Sequence, residues 1–169
     1  MVFPEFENID IIDKIRAGYD PLSDLVRPHI TLVFPFESDI TTDELNKHIK
    51  NALQDCRSFD LNMQGFTASA EPFSNYLFLN VTDGLQELCQ LSRNLYTGIL
   101  EQYQSDTLKT NYCPHLTVGN LNKNIDYHAI LNELEKEKSL FSTCVNCVSV
   151  EIIGEDESSN LEMTIPLIL

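Results

Sequence analysis

Apolar and polar positions alternate along this chain in runs that change period several times. Ile11, Ile12 and Ile15 follow Asn8 and precede Gly18 and Pro21, which predicts a short amphipathic helix capped by Asn8. His29 to Phe34 reads as a buried strand. Thr41-Thr42-Asp43-Glu44 has the pattern of a capping box, and it opens a helix whose inner face carries Leu45, Ile49, Ala52 and Leu53. Phe59 to Thr67 and Asn75 to Val81 read as strands, joined by an irregular loop, Ala68 to Ser74, that contains Pro72. Leu85, Leu88, Leu95, Ile99 and Tyr103 then stripe one face of a long core helix. A polar connector, Gln104 to Asn111, leads into a strand from His115 to Leu121. Asp126 caps a further helix, with Ile125 and Ile130 placed to staple its start. Cys144 to Ile153 and Leu161 to Leu169 form a last strand pair around the acidic turn Gly154 to Asn160.

The order helix, strand, helix, strand, strand therefore occurs twice, which predicts an α+β fold built from a duplicated unit. The expected arrangement is one domain, residues 1–169, made of two pseudo-twofold lobes of about 1–82 and 83–169. Antiparallel sheets should surround a central cleft, with helices outside. The second unit is preceded by a strand, whereas the first has only Met1 to Phe6 before it. A short or displaced N-terminal strand is expected there.

Sequence echo between the halves is confined to one phrase. Pro28-His29-Ile30-Thr31-Leu32 recurs as Pro114-His115-Leu116-Thr117-Val118, 86 residues on (115 − 29). On a strand, the histidine and threonine of each phrase leave the same face, because side chains alternate with period 2. Each half thus brings one imidazole and one hydroxyl to a shared cleft.

Imidazole titrates near neutrality, so of two such rings one can take a proton while the other gives one. That pairing suits displacement at phosphorus. One histidine activates water or a ribose hydroxyl, and its counterpart protonates the departing oxygen. Thr31 and Thr117 are placed to donate to the non-bridging phosphate oxygens. This chemistry calls for no cofactor and no metal.

Charge narrows the substrate. With 26 acidic residues against 11 basic ones, the net charge of −15 repels long polyanions, so tight binding along duplex DNA is not expected. Five scattered cysteines and no long apolar run point to a reduced, cytoplasmic protein without a membrane partner. Cys144-Val-Asn-Cys147 has no second pair to complete a metal site, and these cysteines read as buried structural residues.

The paired motifs resemble those of the 2H phosphoesterases, also called the 2′-5′ RNA ligase-like or cyclic phosphodiesterase superfamily. The resemblance rests on residues 27–36 and 113–121, and on element order elsewhere. It implies that His29 and His115 are catalytic and that Thr31 and Thr117 bind the substrate phosphate. The implied activity is hydrolysis of a cyclic phosphodiester of a small nucleotide or RNA end. The implied alternative is 2′-5′ ligation or cleavage, and a non-catalytic nucleotide-binding domain is a third reading. His48 and His128 are expected to hold surface or helix-packing positions on helices, and Arg27 and Lys109 to be solvated. Phe73 and Tyr76 could stack on a base, but packing at the core or rim is the preferred reading for both.

Overall fold

A computed structural model describes all of residues 1–169. Its regular elements in chain order are α1 (Ile9–Tyr19), α2 (Thr42–Ala52), β1 (Phe59–Ala70), β2 (Ser74–Asp83), α3 (Leu85–Leu95), a 3-10 turn (Gly98–Tyr103), α4 (Asp106–Asn111), β3 (His115–Asn122), α5 (Tyr127–Leu134), β4 (Phe141–Val145), β5 (Cys147–Ile153) and β6 (Ser159–Pro166). The fold is α+β with antiparallel pairing inside its sheets, as the element order implied. No helix is long and apolar enough to cross a membrane.

Four strands form one sheet in the order β3-β2-β1-β4, and β5 and β6 form a second. The larger sheet draws β1 and β2 from the part of the chain up to Asp83 and β3 and β4 from the part after it, so the two halves of the sequence share one sheet. The N-terminal residues join the two sheets. Met1 and Ser149 exchange backbone hydrogen bonds, Val2 and Ile30 do the same, and Ile30 bridges Leu116 of β3. The displaced N-terminal strand is thus a single bridge residue, Val2.

Several expectations need correction. His29 to Phe34 is not a strand, because only Ile30 makes a bridge. Beyond it, side chains take over the backbone bonding. The Tyr112 hydroxyl donates to Thr31 O (2.7 Å), Ser92 Oγ donates to Leu32 O (2.7 Å), and Phe34 N donates to the Tyr96 hydroxyl (2.9 Å). The irregular loop after β1 is instead a tight hairpin, with pairing up to Ala70–Asn75. The long helix stops at Leu95, and Gly98 at φ +50° starts a separate 3-10 turn. Leu85, at the first position of the helix, and Ile99, in the 3-10 turn, are exposed rather than core. The polar connector contains α4, started by Ser105 Oγ accepting from Leu108 N (3.3 Å). Cys144 is exposed and Cys147 half-buried, on strands of different sheets separated by Asn146. Asn8 precedes α1 but makes no capping bond, donating instead to Leu140 O.

Other local signals act as read. Thr41 and Glu44 form a reciprocal capping box, and Asp126 accepts from His128 N at the start of α5. α1 lies against β3, α5 against β1, and α2 against both α3 and β6. These contacts cover one face of the sheets. On it, Ile30, Leu32, Leu61, Met63, Leu77, Leu79, Leu116 and Val118 lose all or nearly all contact with water, each contributing about 1.5–3 kcal/mol of burial.

Candidate active site

The bridge between Ile30 and Leu116 sits between the two duplicated phrases, and it is antiparallel. Antiparallel pairing has a local twofold axis, so it sets His29 beside Thr117 and Thr31 beside His115. Ile30 and Leu116 point into the core at 0% exposure. Their flanking residues therefore leave the opposite face together, and all four are half-buried there. The four residues singled out in the sequence are gathered on one surface.

Each imidazole is held in the same way. His29 Nδ1 lies 2.8 Å from the Arg27 carbonyl, and His115 Nδ1 lies 2.9 Å from the Cys113 carbonyl. A carbonyl only accepts, so each Nδ1 carries the proton. In the neutral ring this leaves Nε2 with a free lone pair. Burial pushes both histidines below their ordinary pKa, against the pull of those carbonyls toward the charged form. A charge on His29 further disfavours one on His115.

Aromatic rings flank both imidazoles, and these the sequence reading missed. Phe78 of β2 packs on His115 with centroids 3.8 Å apart, and Phe3 lies 6.0 Å from His29. The signal for Phe78 was its parity. Leu77 and Leu79 are core, so Tyr76, Phe78 and Asn80 must face the other way, with the histidines.

The surroundings of the two rings differ in charge. Arg27 lies over the Phe3 ring (4.0 Å to the centroid) and 3.4 Å from Glu151. The Glu151 side chain is only 2% exposed and also accepts from Ser159 Oγ. Arg27 is thus tied down beside His29 rather than freely solvated, although its side chain is 61% exposed. Lys109 pairs with Asp106 on α4. His48 bonds Leu95 O and so packs α2 on α3, while His128 is exposed on α5 beside Tyr127, so one serves helix packing and the other is a surface residue, both as expected. Two cavities adjoin the site without including the histidines. One of about 680 Å³ is lined by Phe3, Arg27 and Pro28 among others, and one of about 1040 Å³ by Val33, Phe34, Phe36 and Glu151 among others.

The comparisons with known proteins bear on the family and the fold. The family model described as the 2′-5′ RNA ligase superfamily matches residues 3–158. A Bacillus licheniformis protein named as a phosphoesterase is 28% identical over 138 residues, covering 80% of this chain and 77% of its own length. A Bacillus cereus protein with the same kind of name is 32% identical over 138 residues, covering 79% and 75%. Among solved structures, TT0787 of Thermus thermophilus superposes with a TM-score of 0.59 at 15% identity, covering 98% of this chain and 94% of that one. E. coli LigT complexed with ATP superposes with a TM-score of 0.54 at 14% identity, covering 98% and 95%. At those identities the structural likeness speaks for the fold. The match over residues 3–158 goes further: this chain belongs to the 2′-5′ RNA ligase superfamily, the 2H phosphoesterases.

Proposed function

We propose that the protein is a metal-independent phosphodiesterase that opens a cyclic phosphodiester on a small nucleotide or RNA end, using His29 and His115 as general acid and base. One observation carries the reading: the antiparallel Ile30–Leu116 bridge, with two His-x-Thr pairs on one face. A neutral ring, its Nδ1 proton bonded to a backbone carbonyl, presents Nε2 to a water molecule. That water attacks phosphorus as Nε2 takes its proton. The other ring, charged, gives a proton to the ester oxygen that departs on the far side. Thr31 and Thr117 donate to the non-bridging oxygens, where negative charge accumulates in the transition state. The enzyme ends with the two protonation states exchanged, and solvent restores them.

The test is turnover of a 2′,3′-cyclic nucleotide in excess EDTA, followed by the appearance of a phosphomonoester. The wild-type protein should turn over under these conditions. Thr31→Val and Thr117→Val keep the branched shape and remove only the hydroxyl. Each is expected to lower kcat/KM about 10- to 100-fold, the equivalent of one hydrogen bond to a charged group. Wild-type rates in both valine variants would exclude the phosphate-contact role.

A further inference from the structure

We propose that Glu151, acting through Arg27, is a positioning residue for His29 alone, and that it is what makes the two histidines of the duplicated motif unequal. The inference rests on the phosphodiesterase reading, in which two copies of one phrase must do opposite work. The copies agree at the proline, histidine and threonine. They differ two residues before the histidine, where Arg27 stands in one and Cys113 in the other. That position matters because its carbonyl accepts the Nδ1 proton of the ring that follows, at 2.8 Å for His29 and 2.9 Å for His115.

Arg27 is anchored from two sides. Its guanidinium lies over the Phe3 ring, 4.0 Å from the centroid, and 3.4 Å from the Glu151 carboxylate. Phe3 in turn lies 6.0 Å from the His29 ring. Glu151 belongs to β5 in the second sheet, and Ser159 of β6 donates to it, so both strands of that sheet help to fix the residue that orients His29. A carboxylate is costly to bury, and this one, 2% exposed, keeps Arg27 as its charged partner. Cys113 is exposed and has no such anchor.

Charge follows the same asymmetry. Glu151 favours a charge on His29, and no carboxylate does so for His115. Arg16 of α1 and the Met1 amino group oppose that charge. Arg16 is itself paired with Asp20 at 2.8 Å, and burial pushes the Met1 amine down to about 5, so it is neutral near neutral pH. His115 also bears the cost of a charged His29. His29 is therefore the ring that charges first as pH falls.

The test is Glu151→Gln, which keeps the shape and an oxygen for Arg27 and Ser159 but removes the charge. On a 2′,3′-cyclic nucleotide, kcat should fall about 10- to 100-fold, the range over which partners of a site residue act. KM should not change, because Glu151 does not touch the substrate. In the pH profile the limb that His29→Ala removes should move to the acid side, and the other should not follow it. Nitrogen NMR of the two imidazoles reads the same effect without turnover. In wild type His29 should charge at a higher pH than His115. In Glu151→Gln the His29 midpoint should drop and its Nδ1–H tautomer lose population, while His115 keeps its tautomer. Arg27→Gln, at a side chain 61% exposed, should reproduce the loss, and Arg27→Lys, which keeps a cation for Glu151, should restore most of the rate. Wild-type kcat in Glu151→Gln and Arg27→Gln, or equal downward shifts of both imidazoles, would overturn the proposal and leave the catalytic reading standing. A shift confined to His29, in a protein that turns over no cyclic phosphodiester, would uphold the role of Glu151 and overturn the catalytic reading.

Discussion

His29→Ala and His115→Ala are each expected to lower kcat on a cyclic phosphodiester about 10²- to 10⁴-fold, the usual contribution of a positioned general acid or base. Because the two rings act in one proton circuit, the double variant should be little slower than the worse single one. A product of the two single losses would mean that the histidines work independently. The effect is expected on chemistry rather than on folding. Both rings are half-buried, and neither belongs to the packed core. Thermal midpoints of the single variants should stay close to wild type, measured by circular dichroism alongside the kinetics. Unchanged turnover in either variant would remove that histidine from the mechanism.

Ile30→Ala is expected to be the most damaging change away from the chemistry. Ile30 is fully buried, bridges Val2 on one side and Leu116 on the other, and is the residue through which the two duplicated phrases meet. Truncation removes the transfer energy of three carbons and leaves a cavity that close-packed neighbours fill only in part. The loss should be about 2–5 kcal/mol, read as a lower urea midpoint at unchanged slope. Of a total stability of about 5–15 kcal/mol, that is a large share. Ile30→Val should cost only about 0.5–1.5 kcal/mol. Turnover should fall with Ile30→Ala even where the protein stays folded, since the peg sets His29 and His115 at a fixed spacing. A folded Ile30→Ala protein with wild-type midpoint and rate would show that the bridge does not hold the site.

Much of the site was legible because chemistry and periodicity spoke together. Two His-x-Thr phrases in apolar surroundings imply a common face, and the antiparallel bridge supplies the twofold relation that their repetition implied. Thr41 with Glu44, and Asp126, could be read because a cap is a local hydrogen bond that needs no tertiary context. The segment after Thr31 reads as a strand and is not one, for the opposite reason. An apolar run fits a strand pattern, but its carbonyls are claimed by Tyr112 and Ser92, more than fifty residues away. The helix after Gly84 is shorter than its stripe, because the stripe continues past Gly98 and a left-handed φ there outweighs the pattern. Pro72 suggests an irregular loop, yet it sits in the hairpin turn, where a missing N–H costs no ladder bond. Phe3 and Phe78 escape a sequence reading because nothing local ties an aromatic residue to a histidine far off in sequence. Only strand pairing does.

The most direct test of the paired-histidine claim is the pH dependence of kcat/KM, which reports the free enzyme. Burial holds both imidazoles below their ordinary value of about 6.5, and a charge on His29 further disfavours one on His115. A base must lose its proton and an acid must keep one, so a bell is expected, with both limbs displaced to the acid side of that value. The same displacement makes the folded state bind fewer protons than the unfolded chain. Stability should therefore be fully present above pH 6.5 and decline as pH falls through the depressed native values. The predicted result is a bell with its optimum below about pH 6.5, unchanged by EDTA, from which His29→Ala and His115→Ala each remove one limb. A flat profile, or activity that vanishes with the chelator and survives both substitutions, would contradict it.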